Sequence, residues 1–165
     1  MEGIDILRRN YLMFALILPI LITCTTLQPI KVDNLANIII EAHGELVSEI
    51  PDGTKLAVLD IQHNDPFVVD FITNELMKLT IKTRRTKGIK VIERDDYTLQ
   101  LILKEQGFQA SGFIDDREAV RIGYMLGVDM IIVGKIINNK KYHILNIRVV
   151  NVESSEVIAS FNKQI

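Results

Sequence analysis

Lys55-Leu-Ala-Val-Leu-Asp60-Ile61 is the stretch on which the reading of this chain turns. Leu56 to Leu59 run apolar without a break, where a strand with one wet face would alternate. Such a run suits a strand covered on both faces. Pro51-Asp52-Gly53 ahead of it is a turn signal. Behind it, Asp65-Pro66 joins an N-cap residue to a proline in the first helical turn. Val68, Ile72, Leu76 and Leu79 then share one face of a helix reaching about Lys82, and Gly88 breaks it. Ile89 to Ile92 is a second short strand. Strand, helix, strand is the start of a sheet with helices laid on it.

The pattern extends in both directions. Upstream, Asp33 reads as an N-cap, and Leu35, Ile39, Ala42, Leu46 and Ile50 recur at helical spacing. The polar face of this helix is acidic, which favours packing on the sheet over lying on a membrane. Downstream, Asp95 or Asp96 caps a helix through Leu99, Ile102 and Leu103 that stops at Gly107. Asp115 with Glu118 resembles a capping box; the helix it opens carries Ala119, Ile122 and Leu126 and ends at Gly127. Gly123 lets that helix approach a neighbour closely. Met130 to Ile137, Tyr142 to Val152 and Val157 to Phe161 are three strands joined by Asn138-Asn139-Lys140 and Glu153-Ser154-Ser155-Glu156. The expected fold is therefore α/β: one domain, a mixed sheet of about five strands, helices packed on it, and antiparallel hairpins at the C-terminal end.

The composition narrows the function. The 165 residues carry a net charge of −2, no tryptophan and 6% aromatic residues. With that charge the chain as a whole is no polyanion binder. Without stacking platforms, single-stranded nucleic acid and carbohydrate are disfavoured as ligands.

The one cysteine, Cys24, closes the most apolar stretch of the chain. Arg8 and Arg9 precede an uncharged core from Tyr11 to Ile22, and Leu21-Ile22-Thr23-Cys24 resembles a bacterial lipobox, with Thr23 where a smaller residue is usual. Residues 1–23 read as a signal peptide, 24–32 as a tether lipidated at Cys24, and 33–165 as the domain. An uncleaved N-terminal anchor is the rival reading of the same stretch.

Lys55-Leu-Ala-Val-Leu-Asp60, Val69-Asp-Phe-Ile-Thr-Asn-Glu-Leu76, Val91-Ile-Glu-Arg-Asp-Asp96, the run from Leu103 to Gly134, and Asn146-Ile-Arg-Val-Val-Asn-Val-Glu153 together resemble the lipoprotein family of the curli-secretion component CsgG. Its relatives include small spirochaetal lipoproteins and LpoB-type activators of penicillin-binding proteins. The resemblance implies a non-catalytic lipoprotein of the bacterial cell envelope, facing the periplasm from the outer membrane more than the inner. Its partners would be an envelope protein and the membrane that takes the lipid, with homo-oligomers compatible and nucleic acid excluded. It implies no cofactor. The alternative is a subunit of a CsgG-type secretion complex without transmembrane hairpins of its own. The connections from Asp60 to Asp65 and from Asp95 to Asp115 carry no pair of amphipathic segments of the roughly 9–11 residues that a membrane strand needs. Ser154-Ser155 stands where many relatives have glycine, which implies a different turn geometry.

Two constellations remain. Asp60, His63 and Asp65 lie close together past the first strand and could bind a metal or move protons; a polar loop with Asp65 as a cap explains the same residues. His43 and His143 have no cysteine partner. Gly134-Lys135 sits inside a strand and lacks the glycine spacing of a phosphate loop. The densest basic stretch contains Lys82, Arg84, Arg85 and Lys87, which either oppose a helix dipole or contact an acidic partner or an anionic lipid surface.

Overall fold

The structure, a computed structural model, describes residues 30, 32–92, 116–139 and 141–165. The expected signal peptide, Cys24 and the helix expected around 95–107 lie outside them. The described elements run α1 (Val32–Ser48), β1 (Lys55–Gln62), α2 (Pro66–Lys87), β2 (Lys90–Val91), α3 (Asp116–Leu126), β3 (Met130–Asn138), β4 (His143–Asn151) and β5 (Val157–Gln164). The strands form one sheet in the order β2-β1-β3-β4-β5. β1 lies parallel to both β2 and β3, and β3-β4-β5 is an antiparallel meander. The expected mixed α/β sheet with C-terminal hairpins is the fold observed.

Each face of β1 is covered, as its apolar run requires. Leu56, Val58 and Ile61 join a core with Leu35, Ile39, Ala42, Leu46 and Ile50 around α1, and with Val68, Ile72 and Leu76 of α2. Ala57 and Leu59 join a second core on the opposite face, beneath Ala119 and Ile122 of α3. Strict alternation would send Ile61 to the second face with Ala57 and Leu59. A bulge prevents that: Val58 pairs with Ile132 but Ile61 with Gly134, so Leu59 and Asp60 together oppose Val133. Ile61 returns to the first core and Asp60 swings outward. The Ile61 backbone N–H donates to the hydroxyl of Thr73 on α2 at 3.2 Å, which satisfies a buried donor. Gly134 leaves the room Ile61 occupies, since a Cβ there would lie 2.6 Å from Ile61 Cδ1 and 2.9 Å from the carbonyl oxygen of Asn146.

Gly123 plays the expected part for α3. A Cβ there would come within 2.6 Å of Val152 Cγ2 and 2.9 Å of Ile131 Cγ2, so the helix backbone rests directly on the sheet. The helix ends at Leu126, and Gly127 follows it.

Several expectations need adjusting, among them the end of α2, which runs on to Lys87, past the expected stop near Lys82. α1 begins at Val32, so Asp33 is inside its first turn rather than capping it. β5 runs three residues beyond Phe161, because pairing with β4 continues through Asn162, Lys163 and Gln164 despite their polarity. In the last hairpin, Ser155 adopts φ 61, the left-handed conformation that glycine takes freely. Serine has therefore not removed a left-handed residue from this turn. Asn151 holds it there, its side-chain oxygen accepting from the N–H groups of Glu153 and Ser154, each at 2.9 Å.

Candidate interaction site at the end of the second helix

The basic residues gather where α2 stops. Asp65 opens the helix, its carboxylate accepting from the N–H groups of Phe67 and Val68, and Gly88 closes it with φ 65 and an N–H to the Arg84 carbonyl at 3.0 Å. Arg84, Arg85 and Lys87 occupy the last turn, where cations oppose the helix dipole.

The structure separates Lys87 from its neighbours. Its ammonium donates to the carbonyls of Val47 at 2.8 Å, Ser48 at 3.1 Å and Ile50 at 2.8 Å. Those are the carbonyls at and just past the end of α1, which have no partner within their own helix. Lys87 thus caps a helix about 40 residues earlier in the chain. One turn up, His43 Nε2 lies 3.4 Å from the Thr83 hydroxyl. The two contacts align α1 and α2 side by side in the same direction, with their C-terminal ends together. Lys82, Arg84 and Arg85 are exposed around that end, and so is Lys90 at the start of β2. Lys78, one turn nearer the N-terminus, pairs with Glu75 at 3.0 Å.

This end of the domain is firmly knit. The Gly53 N–H donates to the Lys87 carbonyl, Lys90 N–H to Thr54, and Asp129 N–H to Lys55, at 2.8 to 2.9 Å. Asp129 returns a carboxylate oxygen to the Lys55 N–H at 2.8 Å. The free cations therefore stand on a rigid edge.

The Asp60–His63–Asp65 group resolves into loop geometry. Asp65 Oδ1 is engaged as the helix cap, at 3.0 Å from the Phe67 N–H. The Asp65 N–H donates to His63 Nδ1 at 3.2 Å, which leaves the proton of a neutral imidazole on Nε2, without a lone pair for a metal. Among the described residues no cluster of three or more His, Cys, Asp or Glu side chains could hold a metal ion. His143 is buried, with Nδ1 2.8 Å from Asn138 Oδ1, and its ring meets His63 edge-on with centroids 6.3 Å apart. Sequence spacing gave no sign of that pairing, because β4 brings His143 to the C-terminal end of β1. His43 is a seam residue between α1 and α2, and burial pushes its imidazole pKa down.

Against known proteins, the family model of FlgO protein matches residues 79–165, more than half of the chain. The chain belongs to the FlgO family. The matched part runs from the second half of α2 through β5, so the FlgO region includes the basic end and the whole meander. No curated protein matches the sequence. Among solved structures, the LpoB C-terminal domain from Salmonella enterica is similar at 15% identity with a TM-score of 0.57, covering 77% of this chain and 97% of that one. The LpoB C-terminal domain from Escherichia coli is similar at 16% identity and 0.55, again over 77% and 97%. The NMR structure of E. coli LpoB gives 13% identity and 0.55, over 74% and 64%. At such identities what is shared is the fold. These matches carry the LpoB side of the expected resemblance and leave its CsgG side an expectation. Among the described residues no helix is long and apolar enough to cross a membrane.

Proposed function

We propose that this FlgO-family chain is a lipid-anchored, non-catalytic protein of the bacterial cell envelope that acts by binding another envelope protein. Cys24 would carry the lipid and residues 24–32 the tether, with the domain facing the periplasm, from the outer membrane more than the inner. The observation that carries the reading is the division of labour at the end of α2. Lys87 is committed to holding α1, while Lys82, Arg84 and Arg85 stand exposed on an edge fixed by backbone hydrogen bonds. A solvent-facing set of cations on a fixed edge is suited to recognising a partner surface. The fold shared with LpoB supports a finer version, in which the partner is a cell-wall synthase.

Affinity isolation from crosslinked membranes, comparing wild type with Cys24→Ala, tests it. The expected result is one envelope partner recovered with wild type, and a Cys24→Ala protein that leaves the membrane fraction and recovers much less. A ring of identical subunits in place of a partner would favour the secretion-subunit alternative. Retention of Cys24→Ala at the wild-type level, with an uncut N-terminus in both proteins, would refute the lipid anchor.

A further inference from the structure

We infer that the basic end of α2 docks an acidic protein surface on the side of the domain away from the anchoring membrane, and not the headgroups of that membrane. The inference rests on the tethered reading above. The argument is one of direction and reach. The chain passes from the tether into α1 at Val32. α1 has 17 residues and is therefore about 25 Å long. Lys87 fixes the end of α2 to the far end of α1 through three carbonyls. The exposed cations Lys82, Arg84, Arg85 and Lys90 consequently lie about one helix length from the point where the tether attaches.

Turning them toward the anchoring bilayer would require the tether to climb that length. The eight residues 24–31 ahead of the helix would reach roughly 27 Å fully extended but only about 16 Å on average as a random chain. The inverted pose would hold the tether nearly taut, whereas the upright pose leaves it slack and presents the cations outward. Electrostatic complementarity then selects an acidic surface. Asp52, in the turn whose Gly53 N–H bonds the Lys87 carbonyl, and the exposed Glu45 and Glu49 at the end of α1 are the nearby acids that such a partner must avoid. Membrane headgroups would still attract the cluster if they were within about one Debye length, 10 Å at 0.1 M salt.

Lysine acetylation of the full lipidated protein on vesicles distinguishes these outcomes, with poly-L-glutamate as the acidic probe and Lys141, exposed in the β3–β4 turn, as the internal control. On phosphatidylcholine vesicles at low salt, the probe is expected to slow acetylation of Lys82 and Lys90 roughly tenfold, the combined effect of several exposed ion pairs, and to leave Lys141 unchanged. Arg84→Gln with Arg85→Gln should abolish most of that protection while circular dichroism and the melting transition stay as in wild type. Adding phosphatidylglycerol to the vesicles, without the probe, should leave Lys82 and Lys90 as reactive as before. Protection by phosphatidylglycerol alone would overturn the inference in favour of the anchoring membrane, and so would probe protection that is absent or equal at Lys141. Flotation of Cys24→Ala with the vesicles would instead strike at the lipid anchor, and is read separately.

Discussion

Replacing Lys87 with methionine keeps the apolar stem and removes the ammonium, so it isolates the clasp between α1 and α2. Three carbonyls lose a charged donor, and the losses are unequal. The Val47 oxygen keeps a bond from the Ile50 N–H at 3.2 Å. The Ser48 bond is exposed, so water can replace it. The Ile50 bond is part-buried at 2.8 Å, where water replaces it less readily than at Ser48. Hydrogen bonds to a charged group contribute about 1.5–3 kcal/mol net, and the favourable placement of a cation at a helix C-terminus is part of that figure. With one bond largely lost and two partly replaced, Lys87→Met should destabilise the domain by about 2 kcal/mol. For a domain of this size that lowers Tm by roughly 8 °C. Lys82→Met, one turn away and exposed, is the control and should stay within about 0.5 kcal/mol of wild type. Thermal or urea unfolding followed by circular dichroism measures both. Hydrogen exchange should also show faster opening of the last turn of α1 in Lys87→Met alone. Equal stability of the two variants, with no change in that turn, would mean that the carbonyls are not held by Lys87 and that α1 and α2 are aligned by apolar packing only.

Two further outcomes follow from the same contacts. Gly44 lies mid-helix in α1 with nothing within 4 Å of an added Cβ, whereas Gly134 would place one 2.9 Å from the Asn146 backbone oxygen. Gly44→Ala should therefore stabilise by about 1 kcal/mol and Gly134→Ala destabilise by about 1–3 kcal/mol, a difference of sign that paired denaturant titrations read directly. The His43 imidazole has a pKa lowered by burial, so the unfolded chain takes up a proton at higher pH than the folded one. Its contribution to stability is present above the unfolded-state pKa and is lost as pH falls through the lower folded-state value. Wild type should thus lose stability from near neutrality downward with a slope that His43→Gln lacks, measured by denaturant midpoints across that range.

Much of the fold was legible wherever a local pattern had one physical solution. The unbroken Leu56–Leu59 run, the Asp65-Pro66 cap, the helical spacing from Leu35 to Ile50 and the tight seat of Gly123 each describe a residue's immediate surroundings. What escaped reading depends on partners far away in the chain. The bulge at Leu59–Asp60 exists because Ile61 must meet Gly134, and no periodicity within β1 announces it. The capping role of Lys87 needs α1 beside α2, a packing that its place among other basic residues conceals. β5 outran its apolar half because the edge strand is extended by pairing with β4, not by its own alternation. In the candidate site the cluster of cations was legible, and the division between Lys87 and the rest was not. Asp60, His63 and Asp65 were close in sequence, but hydrogen-bond roles and not proximity determine what such a group can do.

α1 packs on the same face as Phe161 of β5, and the Glu41 carboxylate accepts from the Lys163 ammonium 122 residues later. The first element of the domain is thus covered by the last. In chain order α1 precedes every surface it packs on: β1 and α2 can cover one side of it early, but its contacts with β5 wait for the end of the sheet, while the β3–β4–β5 meander can assemble from near neighbours. Complete shielding of α1 is then a late event in folding, and the side of the helix that faces β5 stays accessible to proteases until that strand is in place. A chain cut short before Val157 would leave this side of α1 uncovered, so cleavage within α1 by added protease would report whether β5 has joined the sheet.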